Sequence, residues 1–359
     1  MFFTTKGDLK MKSTKLFTAL AVLLAVVVLA DSGYAQTSKR VGTAAATQLL
    51  IPVGARDLAM GGASIANSKG VEAVYWNVAG LGRMHSSAEG MFSNMSYIAD
   101  IGVNYGSVGG RFGDFGVIAL SITTLDFGDI PLTSQDDPEN FSGRFYSPNF
   151  VTVGLSFARS LTDAISAGIT AKIISEQIDR VSASGFALDI GVQYNRLIGI
   201  QGLELGVVVK NIGPQMAYDG PGLYKLARSS EGQRPEQRYK SEAASYELPS
   251  TVEIGLGYTG NVQNNIEYAL SGAFTNNNLY LDEYKVGAEL GFGFDALMLY
   301  GRAGMGFIPQ AENDENIFGN TFGAGLHYNA SGIEITVDYA YRTVDLFDAN
   351  NVFSVKLGF

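Results

Sequence analysis

Apolar and polar side chains alternate along most of the chain after residue 85. The last nine residues, Asn351–Phe359, show the pattern most clearly, because every second side chain there is apolar: Phe353, Val355, Leu357 and Phe359. Side chains of a β-strand point alternately to its two faces, so this segment is predicted to be a strand with one wholly apolar face. Similar runs recur upstream, which predicts a chain built mainly of long strands.

The alternating runs are bounded by Gly, Asn and Asp turns and predict fourteen strands. We place them at residues 85–98, 102–112, 114–126, 149–160, 163–178, 183–196, 202–212, 248–259, 263–274, 282–294, 297–308, 318–329, 332–342 and 351–359. The connections after even-numbered strands are short, whereas those after odd-numbered strands include the two longest, 127–148 and 213–247. Short turns at one end and long loops at the other are typical of an outer-membrane barrel. A soluble β-sandwich has no reason to sort its loops in this way.

The two faces of individual strands favour an all-β fold, a 14-stranded antiparallel transmembrane β-barrel. In the strand at 163–178, Ile165, Ile169 and Ile173 share one face and polar side chains share the other, and the strand at 332–342 is sorted in the same way. A Lys or Arg that faces lipid near the bilayer midplane costs about 2–4 kcal/mol. Between residues 165 and 173, and between 333 and 341, no charged side chain falls on the apolar face.

Residues 36–84 do not alternate and are predicted to form a plug ahead of the barrel, which occupies 85–359. The segment is rich in small residues at 54–63. After Ser68, a residue type that caps helices, apolar side chains recur at helical spacing: Val71, Val74, Tyr75 and Val78. The prediction is an irregular segment with one small helix. Its candidate residues for contact with the lumen are Arg56, Trp76 and Asn77.

The first 35 residues have the features of a secretory signal peptide. Lys10, Lys12 and Lys15 precede an apolar run, Leu16–Ala30, and small residues follow at the positions that a signal peptidase reads, with cleavage expected after Ala35. The run is shorter than the ~20 residues that a spanning helix needs. We therefore expect an exported chain that is inserted into the bacterial outer membrane through its strands.

Composition excludes several functional classes. The chain carries a formal net charge of −10 and has no general attraction for phosphate backbones, so nucleic acid is not an expected partner. It has no cysteine and only two histidines, His85 and His327, so no pattern for nucleophilic or metal-dependent catalysis is present. The acidic segment Glu312–Asn316 lacks the spacing of a calcium loop. We expect no enzymatic activity, no metal site and no cofactor.

Charged residues of both signs lie on the polar faces of the last strands. They are Glu253, Lys285, Glu289, Arg302, Glu334, Asp338, Arg342 and Lys356. The signs are nearly balanced, so we expect these side chains to pair across the lumen and hold the plug. The alternative is a charged permeation path, which would require the plug to move.

The longest connection, Gly213–Glu247, differs from the other loops. It mixes basic and acidic residues with several tyrosines, and Tyr and Arg are enriched at protein interfaces. Its candidate partner-binding residues are Tyr218, Tyr224, Arg228, Arg234, Tyr239 and Tyr246. The alternative is a loop that only folds over the barrel mouth.

Several stretches of the chain resemble the PorV family of FadL-like barrels. The segments Gly54–Ala63 and Ala73–Leu81 resemble the amino-terminal region of the family, with Val78 where the family usually has proline. Three further segments resemble the stretches that flank a long PorV loop: Asn211–Pro214, Met216–Gly220 and Tyr246–Ser250. The resemblance extends over most of the chain after the signal peptide, and the sibling PorQ family has a related barrel.

The resemblance implies a FadL-like barrel of the type IX secretion system. Members bind the carboxyl-terminal signal domains of secreted cargo, associate with the large translocon barrel and pass cargo to attachment proteins, and they are not enzymes. The alternative function is a FadL-type passive transporter of hydrophobic compounds through the outer-membrane lipid. We also expect Phe359 to be the residue by which the insertion machinery recognises the closing strand.

Overall fold

The computed structural model describes residues 42–228, 235–263, 265–309, 316–330 and 332–359, so the predicted signal peptide lies outside the described residues. Within these ranges, fourteen antiparallel strands form a closed barrel. They are β1 (Ala88–Ser96), β2 (Gly102–Arg111), β3 (Val117–Asp126), β4 (Asn149–Ser160), β5 (Ile165–Ile178), β6 (Val181–Asn195), β7 (Leu203–Ile212), β8 (Thr251–Gln263), β9 (Ile266–Asn277), β10 (Glu283–Phe294), β11 (Leu297–Phe307), β12 (Phe318–Ala330), β13 (Ile333–Val344) and β14 (Asn350–Gly358). The predicted strand number and fold class are confirmed.

The barrel closes through its first and last strands. β1 pairs with β14 from Glu89 opposite Gly358 to Ser96 opposite Asn351. Beyond the ladder, the Phe359 amide donates to the Ala88 carbonyl at 2.9 Å, and the Ser87 amide donates to the Phe359 carbonyl at 2.7 Å. Closure leaves no strand edge in lipid, as a spanning sheet requires. The role of Phe359 in barrel assembly stays a prediction.

Four strands, β1, β3, β8 and β9, begin three residues later than the sequence pattern indicates, and two of them have a clear local cause. β3 starts at Val117 rather than residue 114, because Gly113–Phe115 forms a 3₁₀ turn and Gly116 has a φ of 132° that favours glycine. β8 starts at Thr251 rather than 248, and Pro249 in the skipped stretch has no amide hydrogen for a ladder. Both differences arise from turn geometry, which the alternation of apolar side chains does not encode.

Burial separates the two faces of the wall as the sequence predicts. In β5, the side chains of Ile169 and Ile173 are 41% and 64% exposed and face outward. Thr170 and Lys172 between them are buried and face the lumen. None of the helices in the described part of the chain has both the length and the apolar character needed to cross a bilayer.

The two longest connections join β3 to β4 and β7 to β8, and each contains short ladders of its own. Ile130–Pro131 pairs with Phe145–Tyr146 in the first. In the second, Met216–Ala217 pairs with Ser245–Tyr246, and Tyr224–Ala227 pairs with Gln237–Lys240. Both connections lie at one end of the barrel, which we name the long-loop mouth, and the opposite end is the short-turn mouth.

The segment ahead of β1 is a series of short helical turns. It contains α1 (Ala55–Ala59), α2 (Ala73–Trp76) and 3₁₀ turns at Thr47–Leu50, Ser64–Ala66, Gly70–Glu72 and Val78–Arg83. Four further 3₁₀ turns lie in connections: Ile98–Asp100, Gly113–Phe115, Leu197–Gly199 and Pro221–Leu223. The predicted small helix corresponds to α2, and α1 adds a second one. α2 lies between two 3₁₀ turns that extend its helical spacing, whereas α1 is an isolated five-residue helix among small residues.

The plug runs through the lumen from one mouth to the other. At the long-loop mouth, the Ala45 amide donates to the Glu247 carbonyl at 2.9 Å. At the short-turn mouth, Ser87 meets the carboxyl terminus as described above. Between these ends, the plug side chains Ala55, Met60, Ile65 and Leu81 are fully buried. The plug therefore fills the barrel along its length.

Candidate functional site

Wall glycines bring the plug backbone into direct contact with the strands. A Cβ atom on Gly304 of β11 would overlap the backbone of Met60 and Gly61, and one on Gly287 of β10 would overlap the Met60 carbonyl. Gly168 and Gly206 face the plug backbone in the same way, whereas a Cβ atom on Gly191 or Gly323 would overlap the side chain of Asn77 or Ala59. These positions form a glycine track on which the plug rests, and any side chain on the track would push it away.

A central ion network joins the plug to the wall. Arg302 Nε lies 2.5 Å from Glu289 Oε2, and Arg302 Nη1 lies 2.6 Å from Asp338 Oδ1. From the plug, Arg56 approaches the other side of Glu289, with 3.1 Å between Nη2 and Oε1. The Arg302 side chain is 2% exposed. Buried charges are tolerated when they are paired in this way.

The plug completes the network with a buried carboxylate. Asp57 accepts hydrogen bonds from Ser64 Oγ at 2.7 Å and Ser68 Oγ at 2.6 Å, and Arg56 Nη1 lies 2.8 Å from it. Burial raises the pKa of Asp57 to about 6, and the carboxylate of Glu72 adds to the rise. Arg56 and the two serine hydroxyls oppose this shift. The Ser68 hydroxyl therefore donates its hydrogen bond to Asp57 and does not form the predicted helix cap.

Other lumenal cations pair with carboxylates along the same path. The distances from nitrogen to oxygen are 3.3 Å for Lys356–Glu72, 2.5 Å for Lys210–Glu253, 2.6 Å for Lys172–Asp189 and 2.8 Å for Arg83–Glu204. Two of these pairs tie the plug to the wall and two lie within the wall. The arrangement pairs the lumenal charges of opposite sign along the length of the plug.

Glu334 and Arg342 lie apart from the central network, although the sequence groups them with it. Glu334 accepts hydrogen bonds from Ser86 Oγ and Asn329 Nδ2, each at 3.2 Å. The Arg342 guanidinium donates to Asn350 Oδ1 at 2.6 Å and lies 3.9 Å from the centre of the Phe318 ring. Both residues are on β13, near its opposite ends.

Trp76 holds two parts of the plug together, and Asn77 also ties the plug to the wall. Trp76 Nε1 donates to the Val53 carbonyl at 3.0 Å. Asn77 Nδ2 donates to the Val192 carbonyl of β6 at 3.2 Å, and Asn77 Oδ1 accepts from the Ala79 amide at 3.2 Å. Asn77 thereby caps the Val78–Arg83 turn, which forms with valine in the place of the family's proline.

The space left beside the plug is small. A cavity of about 30 Å³ lies next to Gln48, Tyr105 and Thr152. This is room for one or two water molecules and far below the ~300–1,000 Å³ of pockets that hold drug-sized ligands.

His327 has a hydrogen-bond partner within the wall, because its Nδ1 lies 2.8 Å from Thr336 Oγ1.

The base of the longest loop is anchored in the barrel. Met216 and Leu248 are buried against Ala45 and Leu49 of the plug, and Tyr218 packs on the same cluster. The Tyr218 hydroxyl donates to the carboxylate of Glu176, and burial together with this bond raises the pKa of Tyr218. Tyr218 is therefore half-buried and holds the loop, whereas the sequence placed it among the partner-binding residues.

The outer part of the same loop stands clear of the barrel. We name the ladder of Tyr224–Ala227 and Gln237–Lys240 the docking hairpin, and all eight of its residues are exposed. Tyr224 lies opposite Lys240, and Lys225 opposite Tyr239. Arg228 follows the first strand, with Nη2 3.8 Å from Glu236 Oε1.

Two other predicted loop features lie elsewhere. Tyr246 lies at the base of the loop, opposite Met216, and is 42% exposed. Arg234 lies outside the described residues, as does most of the acidic segment at 312–316. Within the described ranges, no group of three or more His, Asp or Glu side chains is arranged to hold a metal ion.

Comparison with known proteins identifies the family. The sequence profile described as Type IX secretion system protein PorV matches residues 34–228. The chain belongs to the PorV family. The resemblance seen in the sequence is thus confirmed, and the chain is an outer-membrane barrel of a secretion-system family. None of the curated proteins searched matches it.

Solved structures show the fold of this PorV-family chain but little sequence similarity to it. The CymD monoaromatic hydrocarbon channel has a TM-score of 0.55 at 13% identity, over 86% of this chain and 98% of the channel. The Pseudomonas putida toluene transporter TodX has 0.54 at 11%, over 85% and 98%. A Pseudomonas aeruginosa FadL homologue has 0.52 at 10%, over 86% and 98%. The FadL-like architecture is therefore confirmed.

Proposed function

We propose that the chain is a non-enzymatic docking component of type IX secretion. It holds the carboxyl-terminal signal domains of cargo at the docking hairpin, associates with the translocon barrel and passes cargo to attachment proteins. The proposal rests on membership of the PorV family. The observation that carries it is the docking hairpin, which is exposed on both faces beside a filled lumen.

The docking hairpin has the chemistry of an interface. Tyr224 and Tyr239 are 52% and 45% exposed, and each lies opposite a lysine. Tyrosine offers a large contact area at low entropic cost, together with a hydroxyl for a hydrogen bond. A two-stranded hairpin without packing is marginally stable in water. A partner surface that covers the hairpin would therefore stabilise the pairing of its two strands.

The anchored base gives the hairpin a fixed position. The cluster around Met216 and Leu248 and the bond from Tyr218 to Glu176 join the loop to the wall. The exposed Lys240–Asp219 pair, 2.6 Å apart, links the hairpin to this base. Loops present binding residues well when a rigid scaffold carries them.

The lumen argues against a FadL-type transporter. The fold neighbours include proteins named as hydrocarbon and toluene channels, and such cargo needs a continuous apolar lining. Here the lumen holds the plug and paired charges such as Arg302 with Glu289 and Asp338. Opening this path would require breaking buried ion pairs, which is costly.

Deleting Lys225–Lys240 should abolish co-purification of cargo signal domains while the barrel stays folded and heat-modifiable. The deletion removes all of the docking hairpin except Tyr224 and none of the buried anchors of the loop. Purified protein would be incubated with an immobilised cargo signal domain and the retained fraction measured.

Phe141→Ala is the matched control for this experiment. Phe141 is an 88% exposed aromatic residue on the other long loop, and its variant should bind cargo as the parent does. Full binding by the deletion variant would show that the hairpin is not the docking surface.

A further inference from the structure

The barrel wall has a notch at the long-loop end of β7 and β8. Their ladder ends at Lys210 opposite Thr251. Past that point, β7 bends toward β6, where a bulge places Leu188 opposite Ile212. Gly213 lies so close to the Phe186 carbonyl that a Cβ atom would overlap it. The two strands therefore diverge: residues 211–215 and 247–250 form no ladder with each other, and pairing resumes at Met216 opposite Tyr246.

Asn211 spans the notch. It has a φ of 61°, a conformation that Asn tolerates better than most residues. Its amide donates to Asp189 Oδ1 at 2.8 Å, and its side-chain oxygen accepts from Lys172 Nζ at 2.9 Å. Its Nδ2 donates across the notch to the Pro249 carbonyl at 3.1 Å. The inner side of the notch is thus closed by a network, while the outer side stays open.

The open side of the notch is a groove of about 240 Å³. Its lower part is formed by the outward-facing apolar side chains of Val209, Ile212 and Val252. Its upper rim is polar and includes Glu247, Ser250, Asn276 and Asn278. The apolar part continues directly into the lipid-facing surface of β8, where Ile254 is 46% exposed.

We propose that this groove binds one acyl chain of a membrane lipid. The groove opens on the surface that contacts the bilayer, so lipid is the molecule that reaches it. Apolar walls below and carboxamide and hydroxyl groups above match the order of chain and head group in an amphiphile. The volume is below that of pockets for whole drug-sized ligands, so the groove holds a segment of one chain rather than a whole lipid.

The binding of lipid in the groove would also stabilise the wall, because the chain would cover the side chains of Ile212 and Val252, which are 45% and 40% exposed. The inference is independent of cargo docking, because none of the groove residues belongs to the docking hairpin.

The test uses Val252→Trp, which fills the groove, with Ile254→Trp as the matched control. Both positions lie on the outward face of β8, two residues apart. Each protein would be refolded, reconstituted with dioleoyl phosphatidylethanolamine, extracted into detergent and analysed by native mass spectrometry. We expect one retained lipid on the parent and on Ile254→Trp, and about tenfold less on Val252→Trp.

Two further measurements keep the proposal falsifiable. Ile212→Trp fills the groove from the opposite strand and should lose the lipid as well, so a folding defect in one variant does not decide the result. Heat-modifiable mobility reports folding for each protein. Equal lipid retention by both groove variants and the control would overturn the proposal. Displacement of the lipid by free oleate at equimolar concentration would also overturn it, since it would identify a fatty-acid site.

Discussion

Replacing Gly304 with valine is expected to displace the plug and open the lumen. The new side chain would occupy the space of the Met60 and Gly61 backbone, so the plug must move and the contact of Arg56 with Glu289 would be strained or broken. Overpacking of a filled interior forces backbone shifts, and here the shift separates the plug from β11. Single channels in planar bilayers should show steady conductance, whereas the parent stays closed.

Gly301→Val is the matched control. Gly301 is on the same strand, and a Cβ atom there meets nothing within 4 Å. It adds the same side chain on the lipid-facing side and should leave the conductance at the level of the parent. A closed Gly304→Val barrel with normal folding would show that the plug does not depend on the glycine track.

Arg302→Ala is expected to destabilise the barrel more than any surface substitution. The change leaves Asp338 and one side of Glu289 buried without their cation. Loss of one partner from a buried ion pair costs about 3–5 kcal/mol. The temperature at which the folded band disappears in heat-modifiability electrophoresis should fall clearly below that of the parent.

Arg180→Ala provides the comparison for Arg302→Ala. Arg180 is 68% exposed and lies 3.6 Å from Asp179 in the β5–β6 turn. Exposed pairs contribute about 0–1 kcal/mol, so this variant should melt with the parent. Equal melting of both variants would mean that water enters the lumen and screens the network.

The wall of the barrel could be predicted from sequence because its signal is local. Alternation of side chains in segments such as Asn351–Phe359 depends only on which face meets lipid. The errors lie at the strand boundaries, as at the starts Val117 and Thr251, where positive φ and proline decide the geometry, and at the end of β8, which extends to Gln263 rather than 259.

The plug contacts could not be predicted because they join residues far apart in the chain. Arg56 and Glu289 are separated by 233 positions, and Asn77 and Val192 by 115. The glycines of the track look like general strand composition in the sequence. The signal that could have identified them is their position on the inward face of the strand: Gly304 is two residues from the lumenal Arg302 and therefore shares its face.

The loop prediction was limited for a different reason. Tyr218 and Tyr224 are both tyrosines in a charged loop, and composition alone does not separate an anchor from an exposed contact. Burial separates them, because Tyr218 reaches Glu176 inside the barrel while Tyr224 is 52% exposed.

The central claim is that cargo docks on the outer hairpin while the lumen stays closed. A disulfide between plug and wall tests it directly in this cysteine-free chain. A Cβ atom on Gly109 of β2 would lie 3.0 Å from Val71 Cγ1 of the plug, so Val71→Cys with Gly109→Cys places two sulfur atoms within bonding reach. Binding of a cargo signal domain would be measured for the oxidised and the reduced protein. Equal affinity in both states is the predicted result, and loss of binding on oxidation that reduction restores would contradict the account.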